Sequence, residues 1–364
     1  MPLFTLVAGA RPNFMKIAPL VHAIQKKQRD GVAVDFRLVH TGQHYDKNMS
    51  GDFFEQLHIP APHANLGGGG GTQAEQTAAI LVAFEQELMA HRPDLVLVVG
   101  DVTSTLACSI SAKKLQIDVA HVEAGIRSGD LSMPEEINRM VTDSITDHFF
   151  TTSEIANTNL RKLGVADEKI HFVGNTMIDT LLAQMPHFKK PGGKPFDQLQ
   201  AGEYFVMTLH RPANVDQEES LRELMNAILE GTAGLPIVFP VHPRTAKNLE
   251  RLGIAAPNLH LISPLGYLEF NHLVQHAKGI ITDSGGVTEE ASVMNVPCLT
   301  LRDSTERAET IHLGTNELVG TDPKNLKPYL DKILRGEWKQ YQGIPLWDGQ
   351  TAERIVEILL KHYA

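Results

Sequence analysis

The chain has 364 residues, 42% hydrophobic and 21% charged, with 33 basic against 43 acidic side chains for a formal charge of −10. This is the composition of a globular protein, not of a fibrous or disordered one, and the length predicts two domains of ordinary size. The acidic balance excludes a general nucleic-acid binder, and no apolar run of about 18 residues is present to insert into a membrane.

The start, MPLFTLVAGARPNFMK, has no basic segment ahead of its apolar stretch and passes straight into a strand pattern, so it does not read as a signal peptide. Short β-branched runs then alternate with helical stretches, which predicts βαβ units and parallel sheets. Strands are expected at 4–8, 34–40, 95–100, 119–122, 148–152 and 170–173. The run LVLVVG at 95–100 is apolar throughout, as a strand covered on both faces requires. The pentaglycine 67–71 looks like a phosphate loop, but it lacks a following Lys and closes no expected strand, so it reads as a surface loop.

Residues 185–202 hold three prolines and three glycines among polar residues and read as a linker. A second series of strands is expected at 204–209, 237–241, 259–262, 279–282, 297–301 and 317–319. A terminal helix is expected at 351–362, with Ile355, Ile358 and Leu359 on one stripe. The expected fold class is α/β, with two Rossmann-like parallel-sheet domains, 1–180 and 181–349, facing a cleft. The last helix, 350–364, is expected to pack back on the first domain. Cys108 and Cys298 are the only cysteines. Each lies among apolar or small residues, which fits buried thiols in a reducing cytoplasm and leaves no structural zinc set.

Ligands of open α/β sheets bind beyond the carboxyl ends of the strands, and the chemistry-bearing residues stand there. The first strand runs into Gly9-Ala10-Arg11-Pro12-Asn13, where Arg11 and Lys16 flank a helix start, either as anion ligands or as solvated cations. This loop is neither a dinucleotide fingerprint nor a P-loop. Asp101 follows the strand 95–100 and is either functional or a plain helix cap. Glu123 interrupts an apolar run, on the same side of its strand as His121 by the period of two, and a carboxylate there needs a partner or a task. Glu135 follows Pro134 at a helix start, where the dipole alone would favour it. Three carboxylates after successive strands favour acid–base chemistry over three separate structural roles.

The second half supplies different groups. His210 and His242 end its first two strands and are either structural or able to titrate and donate to phosphate. Ser284-Gly285-Gly286 enters a helix with bare amides, a cradle for a diphosphate unless the Ser merely caps. Glu290, one turn on, can accept two ribose hydroxyls, and Arg307 is a further phosphate cation.

With these residues in hand, the sequence resembles the non-hydrolysing UDP-N-acetylglucosamine 2-epimerases. The matching segments include GARPNFMK (9–16), VVGDVTSTLA (98–107), HVEAGIRSGD (121–130), PEEINR (134–139), TLHRPANVD (208–216), PVHPRT (240–245), TDSGGVTEEA (282–291) and LRDSTERAET (301–310), in family order. The resemblance implies a GT-B architecture, a homodimer, and interconversion of UDP-GlcNAc and UDP-ManNAc by anti elimination of UDP and its re-addition. It implies that Asp101, Glu123, Glu135 and His210 are catalytic. Arg11, His242, Ser284, Gly285, Gly286, Glu290 and Arg307 are implied to hold UDP, and Lys16 to be an active-site lysine. No cofactor is implied, neither NAD nor a metal. Many members carry Glu where Asn13 stands. The rival readings are a hydrolysing epimerase that releases ManNAc and UDP, a GT-B glycosyltransferase, and a catalytically silent sugar-nucleotide sensor.

Overall fold

The computed structural model describes residues 1–42, 54, 57–215, 217–241 and 243–364, with only the backbone of Arg11, Pro212, Ala213, Pro243 and Arg244. The chain divides into two compact units, Met1–Thr180 with Pro345–Ala364, and Leu181–Ile344.

The first unit carries a seven-stranded sheet of β1 (Leu3–Ala8), β2 (Asp35–His40), β3 (Ala64–Asn65), β4 (Leu95–Val99), β5 (Asp118–Val122), β6 (His148–Thr151) and β7 (Ile170–Phe172). Their order is β3-β2-β1-β4-β5-β6-β7, and every pairing is parallel. The second unit repeats the plan with β8 (Phe205–Thr208), β9 (Ile237–Pro240), β10 (Leu259–Ile262), β11 (Gly279–Thr282), β12 (Cys298–Thr300) and β13 (Asn316–Leu318), ordered β10-β9-β8-β11-β12-β13. In each sheet the order reverses beside the first strand, between β1 and β4 and between β8 and β11. Such switch points open a crevice at the carboxyl edge because the flanking connections depart to opposite faces.

Parallel strands buried on both faces need apolar side chains in both directions. In β8, Phe205 and Met207 join a core with Ile228, Phe239 and Leu330, while Val206, pointing the other way, joins Val238, Ile280 and Ala291. All five residues of β4 are buried.

The final helix, Thr351–Tyr363, belongs to the first unit. Its first amides, those of Thr351 and Ala352, donate to the buried Asp179 carboxylate at 3.1 and 2.8 Å. Lys26 and Lys27 pair with Glu353 and Glu357 along its flank. At its end the Tyr363 hydroxyl donates to Asp118.

Two local expectations are corrected. The pentaglycine does follow a strand, since β3 pairs with Val39 and His40 just ahead of it. A two-residue strand shows no period that a sequence could reveal. The loop then passes into the helix Gln73–Ala90, which is closed by a reciprocal capping box between Thr72 and Glu75. The 185–202 stretch is not a free linker. It forms short turns at Met185–His187 and Phe196–Gln198, and Phe196 enters the second unit's core.

Candidate active site

In the first unit the site grows from the β1–β4 switch point. The turn after β1 is built by Asn13, whose carboxamide oxygen accepts from the Gly9 and Ala10 amides at 3.1 and 2.9 Å, and whose nitrogen donates to the Val99 carbonyl at 3.2 Å. Asn13 thereby closes the start of its own helix and ties it to the end of β4. One turn on, Lys16 reaches the edge of the sheet and pairs with Glu123, Nζ to Oε2 at 2.8 Å, both side chains almost wholly buried.

Glu123 does not continue its strand. β5 ends at Val122, and Glu123 takes a φ of +73°, uncommon for a residue with a side chain. Strain of this kind is concentrated at working sites. The alternation that would put Glu123 beside His121 therefore fails. His121 turns instead to Asp143 and to the Gly100 carbonyl, at 2.7 and 2.8 Å. Both partners accept, so the ring that satisfies them donates from each nitrogen. Asp143 also takes Arg127 and the Gly125 amide. Its burial would raise its pKa, but His121 and Arg127 outweigh that and hold it below the ordinary range. His121 is thus a brace for the loop that carries Glu123.

Asp101, the second carboxylate, does not cap the helix behind it. Nε and Nη2 of Arg139 donate to its Oδ2 at 3.0 and 2.6 Å, and Asn138 donates to its backbone carbonyl at 2.8 Å. About 30% of the Asp101 side chain stays exposed. Gly100 makes the approach possible. It sits at φ +68°, and a Cβ added there would lie 2.9 Å from the Lys16 amine.

The helix Pro134–Ile145 opens with proline in its first turn, followed by Glu135 and Glu136. These two glutamates differ sharply. Glu136 is buried, accepting from the Ser128 and Gly129 amides at 3.0 Å each and from Arg139 Nη1 at 2.6 Å. Burial would raise its pKa, yet those donors hold it below the ordinary range. Glu135 is half-buried and makes no hydrogen bond or ion pair to any described residue. By helical spacing it shares a face with Asn138 and Arg139. Glu123 with Lys16 and Asp101 with Arg139 thus stand on either side of Gly100, while Glu135 lies on the same helix as Arg139 with no hydrogen bond or ion pair to either pair.

In the second unit the β8–β11 switch point carries His210 and Ser284. The His210 side chain is 63% exposed, and its Nδ1 lies 2.6 Å from the fully buried Asp283. Ser284 begins the helix Gly285–Val293 but makes no side-chain cap, and a Cβ at Gly286 would meet nothing within 4 Å. The N-terminus is thus open at Gly286, while at Gly285 a Cβ would lie 3.0 Å from the Glu306 carboxylate. Arg307 pairs with buried Glu289 at 2.7 Å, and Arg302 with Glu306. His242 and the side chain of Arg11 lie outside what the structure describes.

Glu290 is buried one turn into that helix and accepts from the Tyr267 hydroxyl at 2.8 Å. Burial is the stronger influence and pushes its pKa up to about 7. A folded-state pKa above the unfolded value of 4.5 means a contribution to stability that is present in acid and lost as pH rises through 7. Between pH 5 and 8 the unfolding free energy of Glu290→Gln is expected to fall by roughly 3 kcal/mol less than that of the parent, read from urea titrations at each pH. Parallel curves for the two proteins would show that Glu290 titrates normally.

Sequence reasoning missed Arg139, Glu136, Tyr267 and Asp283. Arg139 and Glu136 lie inside PEEINR and Asp283 inside TDSGG, so their signal was proximity to residues already singled out. Among the described residues no cluster of three or more His, Cys, Asp or Glu side chains is arranged to hold a metal ion, and no helix is long and apolar enough to cross a membrane.

Residues 25–360 match the family model described as UDP-N-acetylglucosamine 2-epimerase. The chain is 41% identical to a UDP-N-acetylglucosamine 2-epimerase of Methanocaldococcus jannaschii, over 98% of each chain. It is 38% identical to a UDP-2,3-diacetamido-2,3-dideoxy-D-glucuronate 2-epimerase of Pseudomonas aeruginosa, over 99% of this chain and all of that one. A crystal structure of UDP-GlcNAc 2-epimerase from Neisseria meningitidis bound to UDP-GlcNAc is similar with a TM-score of 0.89 at 30% identity, covering 99% of this chain and 100% of that one. The fold class is that of these enzymes, GT-B-like, with two parallel-sheet α/β units.

Proposed function

The chain belongs to the UDP-N-acetylglucosamine 2-epimerase family, and from that premise we propose that it interconverts UDP-GlcNAc and UDP-ManNAc without hydrolysis. The C2 hydrogen of an acetamido sugar has no carbonyl beside it and is barely acidic. Anti elimination solves this. The C1–O bond breaks with its electron pair leaving on UDP, the C2 proton passes to a carboxylate, and a C1–C2 double bond forms in 2-acetamidoglucal. UDP then adds back to C1 while a proton reaches C2 from the other face, which inverts that carbon.

The observation that carries this reading is the pair of differently held carboxylates around Gly100. Glu123 is buried against the Lys16 ammonium, and Asp101 is half-open and gripped by Arg139. Proton removal on one face and delivery on the other needs two acid–base groups in distinct environments, because one environment cannot suit both tasks. Glu135, on the adjacent helix and without a partner among the described residues, is a third participant. Lys16 holds the charge of Glu123. The Ser284 amide is taken by the Thr282 hydroxyl at 3.0 Å, so in the second unit the Gly285 and Gly286 amides, with the Ser284 hydroxyl, receive the diphosphate, whose charge grows as it leaves, and preorganised donors stabilise the transition state more than the ground state. Glu290 takes the ribose hydroxyls, and His242, Arg11 and Arg307 complete the nucleotide site with His210 acting at the diphosphate.

The protein is read as a cytoplasmic homodimer. Ile137 and Met140 are both outward-facing on the helix Pro134–Ile145, in keeping with a second copy covering them. The test of function is product analysis with no sugar acceptor present. UDP-ManNAc from UDP-GlcNAc is the expected product. Free ManNAc with UDP would instead identify a hydrolysing enzyme, and no turnover without an acceptor would point to a glycosyltransferase. The Pseudomonas aeruginosa relative favours a second substrate reading, since its name places a 3-acetamido uronate where GlcNAc would stand. Running both nucleotide sugars side by side separates the two.

A further inference from the structure

β8 and β11 are neighbours in the second sheet, joined in register to their last residues, Thr208 and Thr282, whose hydroxyls bond at 2.6 Å. The chain leaves them as Leu209-His210-Arg211 and Asp283-Ser284, so His210 and Asp283 emerge side by side. The Asp283 carboxylate is wholly buried and receives the backbone amides of His210 and Arg211 at 3.0 and 2.9 Å, the Asn214 carboxamide at 3.0 Å, and the His210 ring at 2.6 Å. Burial would push its pKa up, but the His210 ring and the amides outweigh this and keep it below the ordinary range. A carboxylate held ionised can only accept. The ring nitrogen facing it therefore donates, and the other ring nitrogen is directed away from the buried acid.

We propose that Asp283 is the positioning residue of His210: it fixes the ring with a proton on Nδ1 and turns Nε2 outward as the atom that meets the substrate's diphosphate. This rests on the epimerase reading for its substrate. The arrangement has the logic of an acid–base dyad in which a buried carboxylate orients an exposed imidazole and stabilises its cation. The ring takes its second proton from water, on Nε2, when the diphosphate binds, and as UDP departs the imidazolium donates that Nε2–H to a phosphate oxygen without transferring it. Asp283 directly precedes Ser284, so a single residue registers the imidazole against the bare helix N-terminus. Two backbone amides would suffice to pin the loop. The short contact to the ring is what a purely structural acid does not need.

The test has two independent arms. Long-range 1H–15N spectra of the unliganded parent, at a pH where the ring is neutral, are expected to show His210 protonated on Nδ1. Protonation on Nε2 overturns the proposal with no variant needed, whether or not the protein proves to be an epimerase. In Asp283→Asn the carboxamide nitrogen can face the ring, and the proton is expected to move to Nε2. Turnover of the nucleotide sugar should then fall on the order of 100-fold or more with KM nearly constant. The double variant with His210→Gln should be no slower than His210→Gln alone, because Asp283 acts through the ring. An unchanged tautomer in Asp283→Asn, a change in KM alone, or additive losses in the double variant would each assign Asp283 to loop structure only. If the tautomer behaves as expected and the parent produces no epimer, the functional reading fails while the positioning pair stands.

Discussion

Replacing Glu123 by Gln is expected to remove epimerisation, lowering turnover on the order of 10²–10⁴-fold, while UDP binds with nearly parental affinity. The exchange keeps shape and leaves Lys16 an oxygen to donate to, so the unusual backbone at this residue has no new reason to relax. What disappears is the capacity to hold a proton. The Lys16 ammonium, 2.8 Å away and equally enclosed, is built to accompany a carboxylate, not a carboxamide. On the proposed reading, UDP is held by the second unit's helix N-terminus, which this change does not touch. Calorimetric titration with UDP and turnover of UDP-GlcNAc measured on the same preparation check both halves. A variant that turns over normally removes Glu123 from the chemistry, and one that loses UDP affinity shows the residue to be structural.

Arg139→Met is the change expected to cost most in stability, about 3–5 kcal/mol at neutral pH, along with most of the activity. Arg139 serves two acids at once, Asp101 through Nε and Nη2 and Glu136 through Nη1. Methionine has similar length and no charge, so Glu136 is left buried with only the Ser128 and Gly129 donors. The pH dependence gives the sign. The Glu136 pKa is depressed in the folded protein, so its contribution is present above the unfolded value of 4.5 and is lost as pH falls through the lower folded one. The gap between parent and variant should therefore narrow in acid. Urea titrations at pH 7 and near pH 4 read this directly, and a gap that stays constant would assign the loss to packing.

The frame of the fold was legible because strands covered on both faces announce themselves as apolar runs. LVLVVG became β4, and the runs around Phe205 and Ile280 became β8 and β11. β3 escaped notice because two residues, Ala64 and Asn65, carry neither period nor composition. The turn of Phe196 into a core was hidden by the prolines and glycines around it. At the candidate site, residue types at strand ends pointed to loops that the structure places at the switch points of the two sheets, and the partners of those residues were not legible. Lys16 and Glu123 are 107 residues apart and meet only because β1, β4 and β5 are neighbours in the sheet. The same holds for Arg139 on Asp101 and for Asp283 on His210. Pattern also cannot separate Glu135 from Glu136. Only the reach of Glu136 back to the Ser128 and Gly129 amides shows which one is engaged in structure. Asn13 departs from the common Glu, and the structure gives it two tasks: accepting from the amides that open its helix, which a carboxylate can share, and donating to the Val99 carbonyl, which a carboxylate cannot.

The claim beneath all of this is that carboxylates of the first unit remove and return the proton at C2 of a nucleotide-bound sugar. Proton NMR of UDP-GlcNAc incubated with the protein in D2O tests it most directly. Loss of the C2 proton signal, as solvent deuterium enters both UDP-GlcNAc and newly formed UDP-ManNAc, is the predicted result. A UDP-GlcNAc spectrum that keeps its C2 proton through many turnovers, or through prolonged incubation with bound substrate, would contradict it.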